Sequence, residues 1–174
     1  MTDSTNGKNS AAPAAEQKGP TPVQVQIAGQ YIKDLSFENP NIEKLIENPG
    51  DNPNMQLEVN VNAKRVGEDL YESAIDFKAH ATNQTGTIYH LEIIYAGLFR
   101  LKNLPNEALE PFLLINCPSL IFPFLRRIVA DLTREGGFPP LLLDPIDFAG
   151  MFMRRVQASS NQASGGSEPA KGNA

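Results

Sequence analysis

Cys117, His80 and His90 are the residues of this chain best suited to covalent or metal chemistry. A thiolate beside an imidazole is a nucleophile with its base, and a thiolate with two imidazoles is the beginning of a zinc site. The spacing favours neither. Both histidines fall in segments that alternate like strands, Cys117 opens a helical stretch, and one cysteine with two histidines is a ligand short of a closed zinc site. A single cysteine also excludes an intrachain disulfide and fits a reducing compartment. No GxxxxGK[ST], GxGxxG or GxSxG occurs, so no phosphate cradle or nucleophile elbow is present, and no cofactor is implied. The expectation is an ATP-independent binding protein and not an enzyme.

A second group of chemistry-bearing residues is acidic. Asp34, Glu38, Glu58, Glu72, Asp76 and Glu92 all have the even parity opposite to the apolar residues of their segments, which puts them on one sheet face. From Tyr31 to Tyr95 eleven acids face five bases, whereas from Ala96 to Ala158 six acids face seven bases, so the negative potential belongs to the first half. Nucleic acid requires Lys and Arg on phosphates and is excluded as a partner; a basic protein surface fits.

The elements that position these residues are strands first and helices after. VQVQI (23–27) alternates, and the same odd parity resumes at Tyr31, Leu35 and Phe37 after an irregularity near Gly29. MQLEVNVNA (55–63) alternates without a fault, Tyr71 to Ala81 makes a third strand and Tyr89 to Tyr95 a fourth. KRVGED and NQTG read as hairpin links, while NPNIEKLIENPGDNPN is long enough to cross the sheet. Ile121, Leu125, Ile128, Val129 and Leu132 then recur at helical spacing, with Pro118 and Pro123 expected near the helix entrance and Gly136-Gly137 at its end. A second helix is expected after Asp144-Pro145. Between the helices GGFPPLLLDP forms a non-helical apolar ledge. The fold class is α+β: a mostly antiparallel four-stranded sheet with helices on one face, and more apolar helix surface than such a domain covers, left for a copy or a ligand. Residues 1–20 and 159–174 read as disordered tails around a folded unit of 21–158, and no run approaches the apolar length of a membrane span.

Three stretches, YIKDLSFENPN (31–41), TIYHLEIIYAGLF (87–99) and CPSLIFPFLRRIVADLTREGGFPPLLLDPIDFAGMF (117–152), closely resemble SecB, the bacterial protein-export chaperone family, and the likeness covers nearly all of 23–156. The resemblance implies a Greek-key sheet with helices packed on one side, assembled as a dimer of dimers. It implies a cytoplasmic holdase that keeps precursor proteins unfolded and delivers them to the motor ATPase SecA, without inserting into the membrane. It places a client groove on the crossover link, with Phe37, Leu45 and Ile46, and on the ledge, with Phe138, Leu141 and Leu142. It places SecA docking on Asp34, Glu38 and Glu92, with His90 between the matched strand residues. Contacts between copies are expected at Leu91, Ile93, Ile121, Leu125 and Ile128. Two alternatives stand beside this: a SecB-like chaperone dedicated to a toxin–antitoxin pair, and a small-molecule carrier or enzyme using the ledge as a pocket.

Overall fold

The computed structural model describes residues 22–48, 50 and 52–164. Strands β1 (Gln24–Glu38), β2 (Asn54–Gly67), β3 (Leu70–Asn83) and β4 (Gly86–Lys102) form one antiparallel sheet in the order β1-β4-β3-β2. β2, β3 and β4 follow one another through the two expected hairpins. β1 lies beside β4, so the chain crosses from one sheet edge to the other between β1 and β2. This is a Greek key, and the long link carries a short helix, α1 (Ile42–Glu47), whose buried Leu45 pins it.

Odd-numbered residues of β3 and β4 face inward. Ile75, Phe77, Leu91, Ile93 and Phe99 are fully buried there beneath the helices. In β1 the parity expectation fails in one place. Bulges between Ile27 and Gly29 and between Ile32 and Asp34 turn the intervening segment over. Tyr31, opposite Ala96, therefore lies on the outer face, while Ile32, opposite Tyr95, takes the inner one.

The helices begin earlier than expected. α2 (Asn106–Pro111), a π-helical turn (Phe112–Asn116) and α3 (Cys117–Glu135) run on continuously, so Pro118 and Pro123 stand inside a helix and not at its entrance. The π turn explains how Pro118 is accommodated. The N–H of Cys117 bonds to the Phe112 carbonyl five residues back. In that register the Leu113 carbonyl would need an N–H from residue 118, which a proline lacks. The Ser73 hydroxyl on β3 donates to that carbonyl instead, at 2.8 Å in a buried setting. By length and composition Asn106–Glu135 is apolar enough to cross a membrane, which corrects the expectation that no stretch is. In this fold its apolar side, with Ile121, Leu125 and Val129 buried, lies on the sheet.

The last helix, α4 (Phe148–Ser164), starts at Phe148, with Asp147 and not Asp144 as the residue that caps it. The Asp147 carboxylate accepts the Gly150 N–H at 2.9 Å and its carbonyl accepts the Met151 N–H at 3.0 Å. α4 continues past the boundary expected at 158. Of the expected tails, 1–20 lies outside the described residues, as does the part of 159–174 from residue 165 onward, while 159–164 belongs to α4.

Candidate functional site

The ledge is built from the end of α3. Gly137 has φ +87°, a conformation that favours glycine, and it closes a Schellman turn in which the Gly137 N–H bonds to the Arg134 carbonyl and the Phe138 N–H to the Thr133 carbonyl. A Cβ on the preceding Gly136 would overlap the Phe37 ring, so the chain passes directly over β1 there. The Asn39 side chain donates to the Gly136 carbonyl at 3.3 Å and Asn41 donates to the Thr87 carbonyl at 2.9 Å, which ties the crossover link to both the ledge and β4.

This close approach assembles an aromatic row. Phe37 stacks on Tyr89 with centroids 5.7 Å apart, and Tyr89 meets Phe138 at 5.3 Å. Burial pushes the Tyr89 phenol above its ordinary pKa, so it stays neutral. Of the expected groove residues, Phe37, Leu45 and Phe138 thus belong to the packed cluster. Leu141 and Leu142 line an open trough of about 280 Å³ beside Leu57, Val59 and Phe77. Ile46 projects away, 75% exposed, and Leu142 is 67% exposed. The register shows how the pieces align: Met55, Ala81 and Tyr89 form one inward row, and Leu57, Ala79, Leu91 and Phe37 form the next. The small Ala79 and Ala81 keep the inner face low beside β2. Leu57 and Val59 were missed as groove residues because their alternation in MQLEVNVNA signals only an inward face; Leu57, at 51% exposed, shows that no helix covers that end.

The outer face brings the expected docking residues together. Glu38, His90 and His80 share one cross-strand row, Ser36, Glu92, Lys78 and Glu58 the next, and Asp34, Ile94, Asp76 and Asn60 the third. His80 and His90 stand with ring centroids 5.3 Å apart. The face is less anionic than its acids suggest. Lys78 lies 3.3 Å from Glu92, and His90 Nε2 lies 3.4 Å from the same carboxylate. The hydrogen bond and charge of Glu92 raise the Lys78 pKa. Two rows beyond Asp34, Glu72 sits nearly covered, bonded by the Tyr31 hydroxyl and by Lys33 at 2.8 Å, with Lys64 at 3.5 Å. Burial pushes the Glu72 carboxyl up, but the hydrogen bonds from Lys33 and Tyr31 and the two lysine charges outweigh it and hold the group below the usual carboxylate range. The second bulge is what carries Lys33 to this face.

Covalent chemistry finds no support in the geometry. Cys117 is fully buried on the inner side of the sheet, where burial pushes its thiol up to about 12, and both histidines lie on the outer side. Among the described residues no group of three or more His, Cys, Asp or Glu side chains could hold a metal. Leu91, Ile93, Ile121 and Leu125, expected at contacts between copies, are sealed inside one chain and keep no surface for such a contact, while Ile128 is half-buried. Besides Ile46, Leu57 and Leu142, the apolar residues left open among those described include Val25, Ile27, Ile32 and Leu35 on β1, Leu120 and Phe124 on α3 and Met153 and Val156 on α4.

An open apolar trough, a separate polar sheet face and uncovered apolar strand surface define an α+β protein built to bind other polypeptides. Residues 16–159 match the sequence profile of the family described as Preprotein translocase subunit SecB. A protein-export protein SecB of Maricaulis maris is 41% identical over 97% of this chain and 99% of its own length, and that of Dinoroseobacter shibae is 44% identical over 95% and 98%. The chain belongs to the SecB family of protein-export chaperones. The solved structure of a SecB-like chaperone from Mycobacterium tuberculosis, in complex with a peptide from an antitoxin, shares the fold with a TM-score of 0.56 at 17% identity, over 71% of this chain and 91% of that one.

Proposed function

We propose that this chaperone holds unfolded precursors in the cytoplasm by laying extended segments into the trough between the ledge and β2, and passes them to the motor ATPase SecA through the outer sheet face. The observation that carries the reading is the trough itself: open, apolar and unshaped, with Leu57 and Leu142 presented on opposite walls. A surface of this kind accepts many sequences, because apolar burial is non-directional and an extended chain supplies its own backbone donors and acceptors. Several such troughs on one assembly would grip one client by avidity.

Phe138 belongs to the packed aromatic row, so the cleaner test uses the exposed pair. In Leu57→Ser with Leu142→Ser each change removes roughly 1 kcal/mol of apolar burial from the bound state. Affinity for an unfolded, carboxymethylated polypeptide should fall about thirtyfold by titration calorimetry, since the two changes together remove about 2 kcal/mol and about 1.4 kcal/mol is tenfold. Unchanged affinity in a folded double variant would place the client elsewhere.

Assembly as a dimer of dimers follows the same reading. The inner-face residues of β1 and the outer residues of α3 are the apolar surface that a second copy would cover. Light scattering at micromolar concentration is expected to return four times the chain mass. A stable monomer would overturn this part of the reading.

A further inference from the structure

The ledge is apolar and carries two consecutive prolines, so its position depends on very few backbone hydrogen bonds. In Phe138-Pro139-Pro140-Leu141 only the first and last residues have an N–H to donate. Both donate to one residue. The Phe138 N–H goes to the Thr133 carbonyl at 3.1 Å, and the Leu141 N–H goes to the Thr133 hydroxyl oxygen at 2.9 Å. That hydroxyl is fully buried, and its own proton is directed back to the helix, with the Val129 carbonyl at 3.0 Å and the Ala130 carbonyl at 3.1 Å. The oxygen therefore accepts from the ledge while its hydrogen is held by α3. A Schellman turn needs only the carbonyl, which any residue supplies; the second anchor needs a hydroxyl at this position.

We infer that Thr133 is the positioning residue of the client trough. Its side chain fixes the height of Leu141, and with it Leu142 and Leu143, above Leu57 and Val59 of β2, and so sets the width of the space into which a client side chain fits. The inference rests on the trough being the client site and adds what holds its wall. A wall tied at Leu141 is pre-organised, so a client does not have to order it on binding; an untied wall adds that ordering to the cost of every association. Thr133 touches no client in this arrangement, which separates it from the lining residues.

The test compares Thr133→Val, which keeps the shape and removes the acceptor, with Thr133→Ser, which keeps the acceptor. Hydrogen exchange reads the anchor directly at the Leu141 amide. In Thr133→Val that amide should exchange at least about tenfold faster, and affinity for the unfolded carboxymethylated polypeptide should fall about fivefold or more, with SecA affinity unchanged. Thr133→Ser should restore both readouts. Should Thr133→Val fail to fold, Thr133→Ala, which leaves room for water beside the amide, is compared with Thr133→Ser in its place. The Leu57→Ser, Leu142→Ser variant is run alongside. If it binds the client normally, the trough reading itself fails. If it binds poorly while Thr133→Val or Thr133→Ala binds normally, the trough stands and the positioning role of Thr133 is wrong. Unchanged exchange at Leu141 in the valine or alanine variant would equally overturn that role.

Discussion

Leu91→Arg is expected to leave no folded protein at all. Leu91 is fully buried in the inner face of β4, between Phe37 on β1 and Ala79 on β3. An arginine there would hold an unpaired charge away from water, at a cost of several kcal/mol, and would also overfill a close-packed site. A domain of this size has roughly 5–15 kcal/mol of net stability, so the two penalties together consume most or all of it. Circular dichroism should show loss of the native spectrum, and the variant should accumulate in inclusion bodies. Leu35→Arg is the informative contrast. Leu35 lies on the same inner face one row away, opposite Ile93, but at the sheet edge and 40% exposed. That variant should keep its secondary structure and lose the proposed assembly, because the new charge faces water in the single chain and would be covered only by a second copy. A folded, fully assembled Leu91→Arg protein would show that the inner face of β4 tolerates water and is not the core.

The contrast between Leu91 and Leu35 also marks what the sequence could and could not disclose. Period-2 alternation identifies an inward face, and it did so for β2, β3 and β4 and for β1 outside the segment between its two bulges; it does not say what lies against that face. Ile121, Leu125 and Ile128 were assigned to contacts between copies because a two-layer domain covers only one stripe of each helix, and Leu91 and Ile93 were assigned with them as part of the apolar sheet face. The chain has one continuous helical run from Asn106 to Glu135 that lies on β3 and β4, so helix and sheet bury these residues against each other. The extra turns were hidden by Pro111, Pro118 and Pro123, each a legitimate breaker by local rules. What overrides those rules is tertiary: a π turn that shifts the hydrogen-bond register, and a serine on another strand that satisfies the freed carbonyl. No local pattern announces a bond between Ser73 and Leu113. The misplacement of Tyr31 has a similar origin, because one irregularity was expected in β1 and two occur, and the second reverses the face again.

The candidate sites were legible in unequal degree. The ledge could be recognised because an apolar, proline-held connection is unusual, and Gly136-Gly137 marked its start. Leu57 and Val59 were not recognisable as its opposite wall, since only the Greek-key crossover brings β2 and the ledge together. The acids expected to dock SecA, Asp34, Glu38 and Glu92, were placed on one face by parity, and the register puts them there in adjacent rows. Parity overlooked the lysines of the same face. Lys33 reaches it through a bulge, and Lys64 and Lys78 sit among the acids as cross-strand partners.

Those lysines change what charge reversal should do at the proposed SecA interface. Asp34 has no ion-pair partner among the described residues, whereas Glu92 is held 3.3 Å from Lys78, both half-exposed. Asp34→Lys therefore replaces an acid that is open to a basic partner by a cation and leaves the ion pairs of the face as they were. Glu92→Lys makes the same exchange and also breaks the pair with Lys78, so that two cations stand side by side in a row whose remaining acid is Glu58. Each exposed pair across the interface is worth roughly 1 kcal/mol or less, and reversal turns attraction into repulsion of similar size. The double variant Asp34→Lys, Glu92→Lys should then bind SecA about tenfold to a hundredfold more weakly at low salt, with Glu92→Lys alone weakening it more than Asp34→Lys alone. The wild-type interaction should weaken as salt rises, and the double variant should show little of that dependence. Client affinity should persist, because the trough lies on the other side of the sheet. Titration calorimetry with purified SecA at low and high salt measures all three quantities. Wild-type affinity in the double variant at both salt concentrations would mean that the paired lysines already neutralise this face, and that SecA docks on some other surface.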